Sequence, residues 1–265
     1  MSLVFRKNPA CLLSLVVAAL AGPALAQDAE ALLRDADRYR TGADNLQVDT
    51  LVQAYASDGT LDKERRYTVF AQSDRRTLVL MQSTAEQGQK VLMLGDDFWL
   101  LMPSSQRPLR ITPMQKLLGD ASTGDIATMR WSGDYSATLV GLEPCADATV
   151  PTGAAPSTQA TLPTSCYHLQ LQATRKGVTY QRIELWLGQQ RHEPVRAQLY
   201  VQSDKLAKQA LFEVDQTLSS VSAMVLIDQL GKQKQTRIRY LARKERTVPV
   251  EWLNPMFLAR SPVLE

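Results

Sequence analysis

Residues 167–173, Tyr-His-Leu-Gln-Leu-Gln-Ala, alternate strictly between apolar and polar side chains. Successive side chains of an extended strand point to opposite faces, so Tyr167, Leu169, Leu171 and Ala173 share one face and His168, Gln170 and Gln172 the other. The period of two returns in residues 195–202, where Val195, Ala197, Leu199 and Val201 oppose Arg196, Gln198, Tyr200 and Gln202, and again in residues 237–243. One apolar face and one wet face is the pattern of an antiparallel sheet. About eleven such runs can be counted, starting near Gln47, Arg65, Arg76, Gln89, Pro108, Tyr135, Tyr167, Tyr180, Pro194, Lys208 and Thr236, with a less regular one near Val221. Ser57-Asp58-Gly59, Gly95-Asp96-Asp97, Lys176-Gly177, Ser203-Asp204 and Gly231-Lys232 supply turns between them. Short turns between consecutive strands imply a meander, and hence one large curved sheet.

Helical signals are sparse. Residues 28–40 begin with Asp28 as N-cap and place Ala29, Leu32, Leu33 and Ala36 at helical spacing. Residues 113–119 read as a short helix opened by Pro113 and closed by Gly119, and residues 254–258 as another. A sheet with one apolar face needs a cover, and two or three short helices are few for about eleven strands. Two outcomes stay open. The uncovered face lines an apolar cavity suited to a lipid or acyl chain, or the sheet closes and fills itself with side chains.

The chain opens with Arg6-Lys7, an apolar run over residues 11–21, and Ala24-Leu25-Ala26 before Gln27-Asp28. That order reads as a cleaved secretory signal over residues 1–26, which places the remainder outside the cytoplasm. The formal net charge of +3 includes Arg6 and Lys7, so the rest of the chain is close to neutral and the pI of 8.7 is no nucleic-acid signature. The basic run over residues 232–246 alternates with Ile238, Tyr240 and Ala242, as the wet face of a strand does. Outside the signal only Cys145 and Cys166 remain, and in an oxidising compartment they allow one intramolecular disulfide. The segment between them is rich in Ala, Thr and Pro and reads as a loop.

Several motifs, in order, resemble the periplasmic outer-membrane lipoprotein-sorting-protein family, the relatives of the LolA and LolB carriers. The first half offers Phe98-Trp99-Leu100-Leu101-Met102-Pro103, Arg107, Arg110-Ile111, Met114, Gly119, Asp125-Ile126 and Asp134-Tyr135. The second offers Tyr167-His168-Leu169, the strand of residues 180–186 ending in Leu185-Trp186, Pro194-Val195, Tyr200 and the hairpin of residues 203–208. Asp120-Ala121-Ser122 departs from the family's Asp-Phe, and residues 145–166 look like a loop insertion. The resemblance implies a single LolA-like domain over residues 27–265. Its fold would be mainly β, an unclosed antiparallel β-barrel or half-pipe covered by short helices. It also implies handling of lipid or acylated lipoprotein in the periplasm, in some members beside ABC-type or RND-type exporters.

No catalytic signature stands out. The two histidines, His168 and His192, sit on a wet strand face and in a turn, and His192-Glu193 lacks the second histidine of a zinc-protease motif. No catalytic residue, metal or cofactor is therefore expected, and no nucleic-acid partner. Strand alternation nominates Leu169, Leu171, Ile183, Leu185, Val195, Ala197, Leu199, Phe212, Val214, Ile238 and Tyr240 as ligand-binding residues of an apolar cavity, with Trp99 at its mouth. The leading expectation is a non-catalytic periplasmic carrier for lipid or lipoprotein bound for the outer membrane, with residues 113–125 as a lid. The alternative is an accessory subunit of an inner-membrane export permease, docking through exposed Arg237, Arg239 and Arg243.

Overall fold

The computed structural model describes residues 28–105, 107–145, 163–231 and 234–259. The expected signal at 1–26, and most of the expected insertion, lie outside them.

Helix α1 (Ala29–Arg40) starts where its sequence says, with the Asp28 carboxylate accepting from the Glu30 amide, and buries Leu32, Leu33 and Ala36. Two antiparallel meanders follow. The first comprises β1 (Leu46–Tyr55), β2 (Leu61–Gln72), β3 (Arg76–Met81), β4 (Lys90–Leu94), β5 (Asp97–Leu101) and β6 (Leu109–Ile111). A small hairpin, β7 (Lys116–Leu118) with β8 (Ala121–Ser122), and a short helix, α2 (Thr123–Ala127), lead to the second. It comprises β9 (Tyr135–Pro144), β10 (Ser165–Ala173), β11 (Arg182–Gly188), β12 (Pro194–Tyr200), β13 (Leu206–Asp215), β14 (Ser220–Asp228) and β15 (Gln235–Glu245). Strand β1 pairs with β15, so the meanders fuse into one sheet of thirteen strands, ordered β6 to β1 and then β15 to β9. Strands β6 and β9 end the order unpaired to each other, so the barrel is unclosed, as the resemblance implied. The expected runs include every strand of the sheet except β5, which the Gly95-Asp96 turn separates from β4.

The concave face carries the main core. Tyr67, Val79, Val91 and Phe98 from the first meander meet Leu169, Leu171, Ile183 and Leu185 from the second, under Leu32, Leu33 and Ala36 of α1. The first meander is apolar on its convex face too. Phe70, Leu78, Leu80, Leu92 and Leu101 pack beneath Val248, Leu253 and Leu258 of the C-terminal segment. That segment is a strap with a 3-10 turn at Val250–Leu253. Trp252 meets Phe70 edge-on at 5.7 Å, and the buried Lys90 donates to the Leu258 carbonyl at 3.1 Å. On the convex face of the second meander, Cys145 and Cys166 form the expected disulfide, with Cα atoms 5.0 Å apart, packed against Trp186 and Val195. The Trp186 ring lies between His168, stacked at 4.3 Å, and the Arg196 guanidinium at 3.6 Å.

Two expected helices are not helices. Residues 113–119 form a turn and the strand β7, because Gly119 adopts φ +56° and folds the chain back so that Leu118 pairs with Ala121. Residues 254–258 are turns that follow the 3-10 segment. A seven-residue apolar-polar run is too short to nucleate a helix against such competition.

The strap makes a stability prediction. Truncating Leu253 to Ala should cost about 2–5 kcal/mol, as large-to-small changes in a packed core do, measured by chemical denaturation. A cost within the scatter of surface substitutions would mean that the strap is a loose tail.

Candidate functional site

The candidate site is the concave interior with its cover. Leu169, Leu171, Ile183, Leu185, Leu199, Phe212 and Ile238 all turn into it and are buried, while Val214 and Tyr240 lie at its margin. The structure does not gather all the nominated residues. Trp99 points to the convex face and packs under the strap. Val195 also faces outward, against the disulfide, because a register shift at Trp186/Leu187 makes it the extra residue of a bulge. Of the three arginines expected in an exposed docking row, Arg237 is buried beside Glu213 at 2.6 Å. A register shift in the β1–β15 pairing turns Arg243 to the same side as Tyr240, whose ring it covers at 4.7 Å. Only Arg239 of the three is exposed.

The interior is filled. Residues 112–132 run across the open side as a cover and add Leu118, Ala121, Ile126, Ala127, Met129 and Trp131 to the core. Trp131 meets Phe212 edge-on at 5.7 Å. The β7–β8 hairpin and the short helix α2 close the face together with α1.

The cover is also fastened by polar bonds. In α2, Ser122 and Asp125 form a capping box, the reciprocal bonding that satisfies the first amides of a helix. The Asp125 carboxylate also reaches into the core, accepting from Lys208 Nζ on β13 at 2.6 Å and from the Tyr180 hydroxyl at 2.7 Å. The side chains of Asp125 and Lys208 are 3% and 7% exposed, so the pair is sealed from water. Thr77 Oγ1 donates to the Ala127 carbonyl at 3.0 Å, and Arg40 to the Thr128 carbonyl at 3.1 Å. Asp37 of α1 accepts from the Trp131 amide at 2.9 Å and the Ser132 amide at 2.7 Å, while Arg40 stacks on the Trp131 ring at 3.9 Å. At the near end the Asp120 amide donates to Thr236 Oγ1 at 2.9 Å. A Cβ on Gly119 would fall 2.5 Å from that oxygen and 2.8 Å from Ala54 Cβ, so this turn fits only glycine. The sequence reading missed Asp37, Lys208, Tyr180 and Thr236 as partners. Only the Ser122-x-x-Asp125 spacing offered a signal.

Beside the cover a pocket of about 280 Å³ opens between the α1–β1 turn, the β2–β3 hairpin and residues 128–134. Its walls carry Arg75, Arg130 and Arg175 together with Asp44, Asp74 and Asp134, and Met93 and Met129 also line it. Arg75 is ion-paired to Asp134 and donates to the Gly95 and Gly177 carbonyls at 2.9 Å each, so it ties three loops together. No group of three or more His, Cys, Asp or Glu suited to a metal occurs among the described residues.

A family model whose description reads "-like: Uncharacterized protein" matches residues 73–260. The chain belongs to that family. The chain is also similar in structure to a LolA superfamily protein from Nitrosomonas europaea, with 28% identity and a TM-score of 0.73 over 86% of this chain and 97% of the other. A domain from Vibrio parahaemolyticus named for outer-membrane lipoprotein sorting aligns at 15% identity and TM-score 0.65, covering 88% and 98%. A DUF1329 family protein from Desulfovibrio piger aligns at 17% and 0.65, covering 86% and 97%. No curated protein matches the chain. The LolA-like resemblance read from the sequence is borne out, and at the lower identities the likeness is one of fold. No helix among the described residues is long and apolar enough to cross a membrane.

Burial raises the pKa of Tyr67, Tyr135 and Tyr180 above the ordinary tyrosine value, and the Asp125 charge raises Tyr180 further. In the unfolded chain all three titrate near 10. Above that pH the folded state holds the extra protons, so these tyrosines leave stability unchanged below about pH 10 and lower it as pH rises further, by about 1.4 kcal/mol per tyrosine per pH unit. Tyrosinate absorbance of these residues should appear only together with loss of tertiary circular dichroism in an alkaline titration. Early titration in the folded protein would show that the cover opens freely to solvent.

Proposed function

We propose that this protein is a non-catalytic periplasmic carrier that shelters the acyl chains of a lipid or lipoprotein in its half-pipe. In this reading residues 1–26 are removed on export. Residues 27–265 act as one LolA-like domain in which residues 145–166 are an insertion. The observation that carries the proposal is the cover: an apolar trough is closed by a segment that is held into the trough by a sealed ion pair, Asp125–Lys208, as well as by its apolar side chains. A cover meant to stay shut is better served by apolar packing of equal volume, because desolvation offsets much of a buried pair's attraction. A polar latch suits a segment that opens into water, where both groups are solvated again. The 28% identity to the LolA superfamily protein supports the same reading.

In the closed form the cargo has no room, so loading requires that residues 112–132 lift. Leu118, Ile126 and Trp131 then leave the trough, and acyl chains take their place against Leu169, Leu171, Ile183, Leu185, Leu199 and Phe212. Each buried CH₂ contributes about 0.8 kcal/mol, so burial of an acyl chain offsets the burial lost when the cover's side chains leave, and the returning cover competes with the cargo for the same trough. Nothing in that cycle calls for a nucleophile or a metal.

Two measurements test the proposal. Native mass spectrometry of the protein isolated from periplasm should show bound phospholipid or acylated peptide, or uptake of added lipid. A persistently ligand-free mass would make the concave face an ordinary core. Lys208→Met leaves the Asp125 carboxylate buried without its counter-charge, at a cost of about 3–5 kcal/mol in the closed form. Stopped-flow uptake of a fluorescent fatty acid should therefore be faster than in the wild type. An unchanged rate would show that residues 112–132 are not the gate.

A further inference from the structure

The pocket beside the cover has a polar rim and an apolar floor. Arg130 pairs with Asp44 at 2.7 Å and Arg175 with Asp96 at 2.9 Å, and Asp74 stands exposed on the β2–β3 turn. The Arg130 and Arg175 side chains are 40% and 39% exposed, so both pairs are hydrated and weak, and a ligand can compete for either arginine. Arg75 is not available in the same way, since its three bonds hold the walls together. The floor is formed by Leu46, Ala71, Met93 and Met129, and all four also belong to the concave core. The pocket is therefore the outer end of the trough. Met129 belongs to the cover, so the lifting of residues 112–132 parts it from Met93 on β4, and the unbranched, adaptable side chains of both can then line the path of an acyl chain.

We propose that this pocket binds the headgroup of a zwitterionic amphiphile, a phosphoethanolamine, with the acyl chain passing between Met93 and Met129 into the trough. The inference deepens the carrier reading and rests on it. Charges of both signs surround the opening, and an anion alone or a cation alone would meet repulsion from one of them. A phosphate set on Arg130 and Arg175 with an ammonium toward Asp44 or Asp74 satisfies both. The volume of about 280 Å³ suits one headgroup and is too small for a pair of acyl chains. Charged groups at the rim above an apolar floor fix the direction of entry, headgroup outward and chain inward.

The test is native mass spectrometry with added lysophosphatidylethanolamine or lysophosphatidylglycerol. Three proteins are compared: the wild type, Ala43→Trp, which places an indole in the pocket, and the double variant Arg130→Gln/Arg175→Gln. Thermal melts establish that each variant is folded. The expected result is uptake of the zwitterionic lipid in preference to the anionic one, with affinity lowered about tenfold or more in both variants, by occlusion in Ala43→Trp and by loss of charge-assisted bonds in the double variant. Wild-type affinity in both folded variants, or equal affinity for the two lipids, overturns the headgroup site while the carrier reading stands. Failure of the wild type to take up either lipid overturns both.

Discussion

The pairing of β1 with β15 is the contact on which the remaining architecture depends. It joins residues 46–55 to residues 235–245 over ten register positions and fuses two meanders, each of which would otherwise expose a long edge. The fusion sets Thr236 beneath the Asp120 amide and beside the Gly119 turn, so the near end of the cover is held by the last strand. It also carries the chain end round to the back of β2–β5, where the strap packs. Concave core, cover and strap all presuppose that one seam.

The two halves of the sheet solve the problem of their outer faces differently. The first meander is apolar on both sides and needs the strap to exclude water from Phe70, Leu78 and Leu92. The second presents polar groups outward and organises them laterally. Glu184 accepts from Gln170 and approaches His168 Nε2 at 2.8 Å, and Trp186 donates to Glu143 at 2.9 Å across strands. One half is stabilised by a third layer and the other by cross-strand pairs in the plane of the sheet. The asymmetry leaves the concave side as the only apolar face the two halves share.

Much of the fold could be read in the residues because period-two alternation is a strong signal wherever one face is wet. Residues 167–173 and 195–202 are strands, α1 starts at its own cap, and Cys145 and Cys166 are joined. The same signal weakens where both faces are buried. Residues 97–101 were not counted as a run of their own, and Trp99 was placed at the cavity mouth and not on the convex face, since the strap that covers it comes from residues about 150 positions away. Single-residue bulges were invisible as well. One turned Val195 outward and another brought Arg243 beside Tyr240, because each extra residue inverts the alternation beyond it. The latch was half legible. Ser122 and Asp125 announce a helix cap, but no local pattern says that Asp125 will be met by Lys208, a residue 83 positions later on another strand.

The strap has a bearing on how the chain comes into being. Residues 248–258 are the last of the described segments to leave the ribosome, and β2–β5 have no outer cover until they arrive. The β1–β15 seam likewise waits for residues 235–245. Contacts of such long sequence separation form late and slowly, so the N-terminal half cannot complete its fold while the remainder is still being made. A protein built this way stays loose and threadable until residues 235–258 are delivered, and commits to its compact form only then.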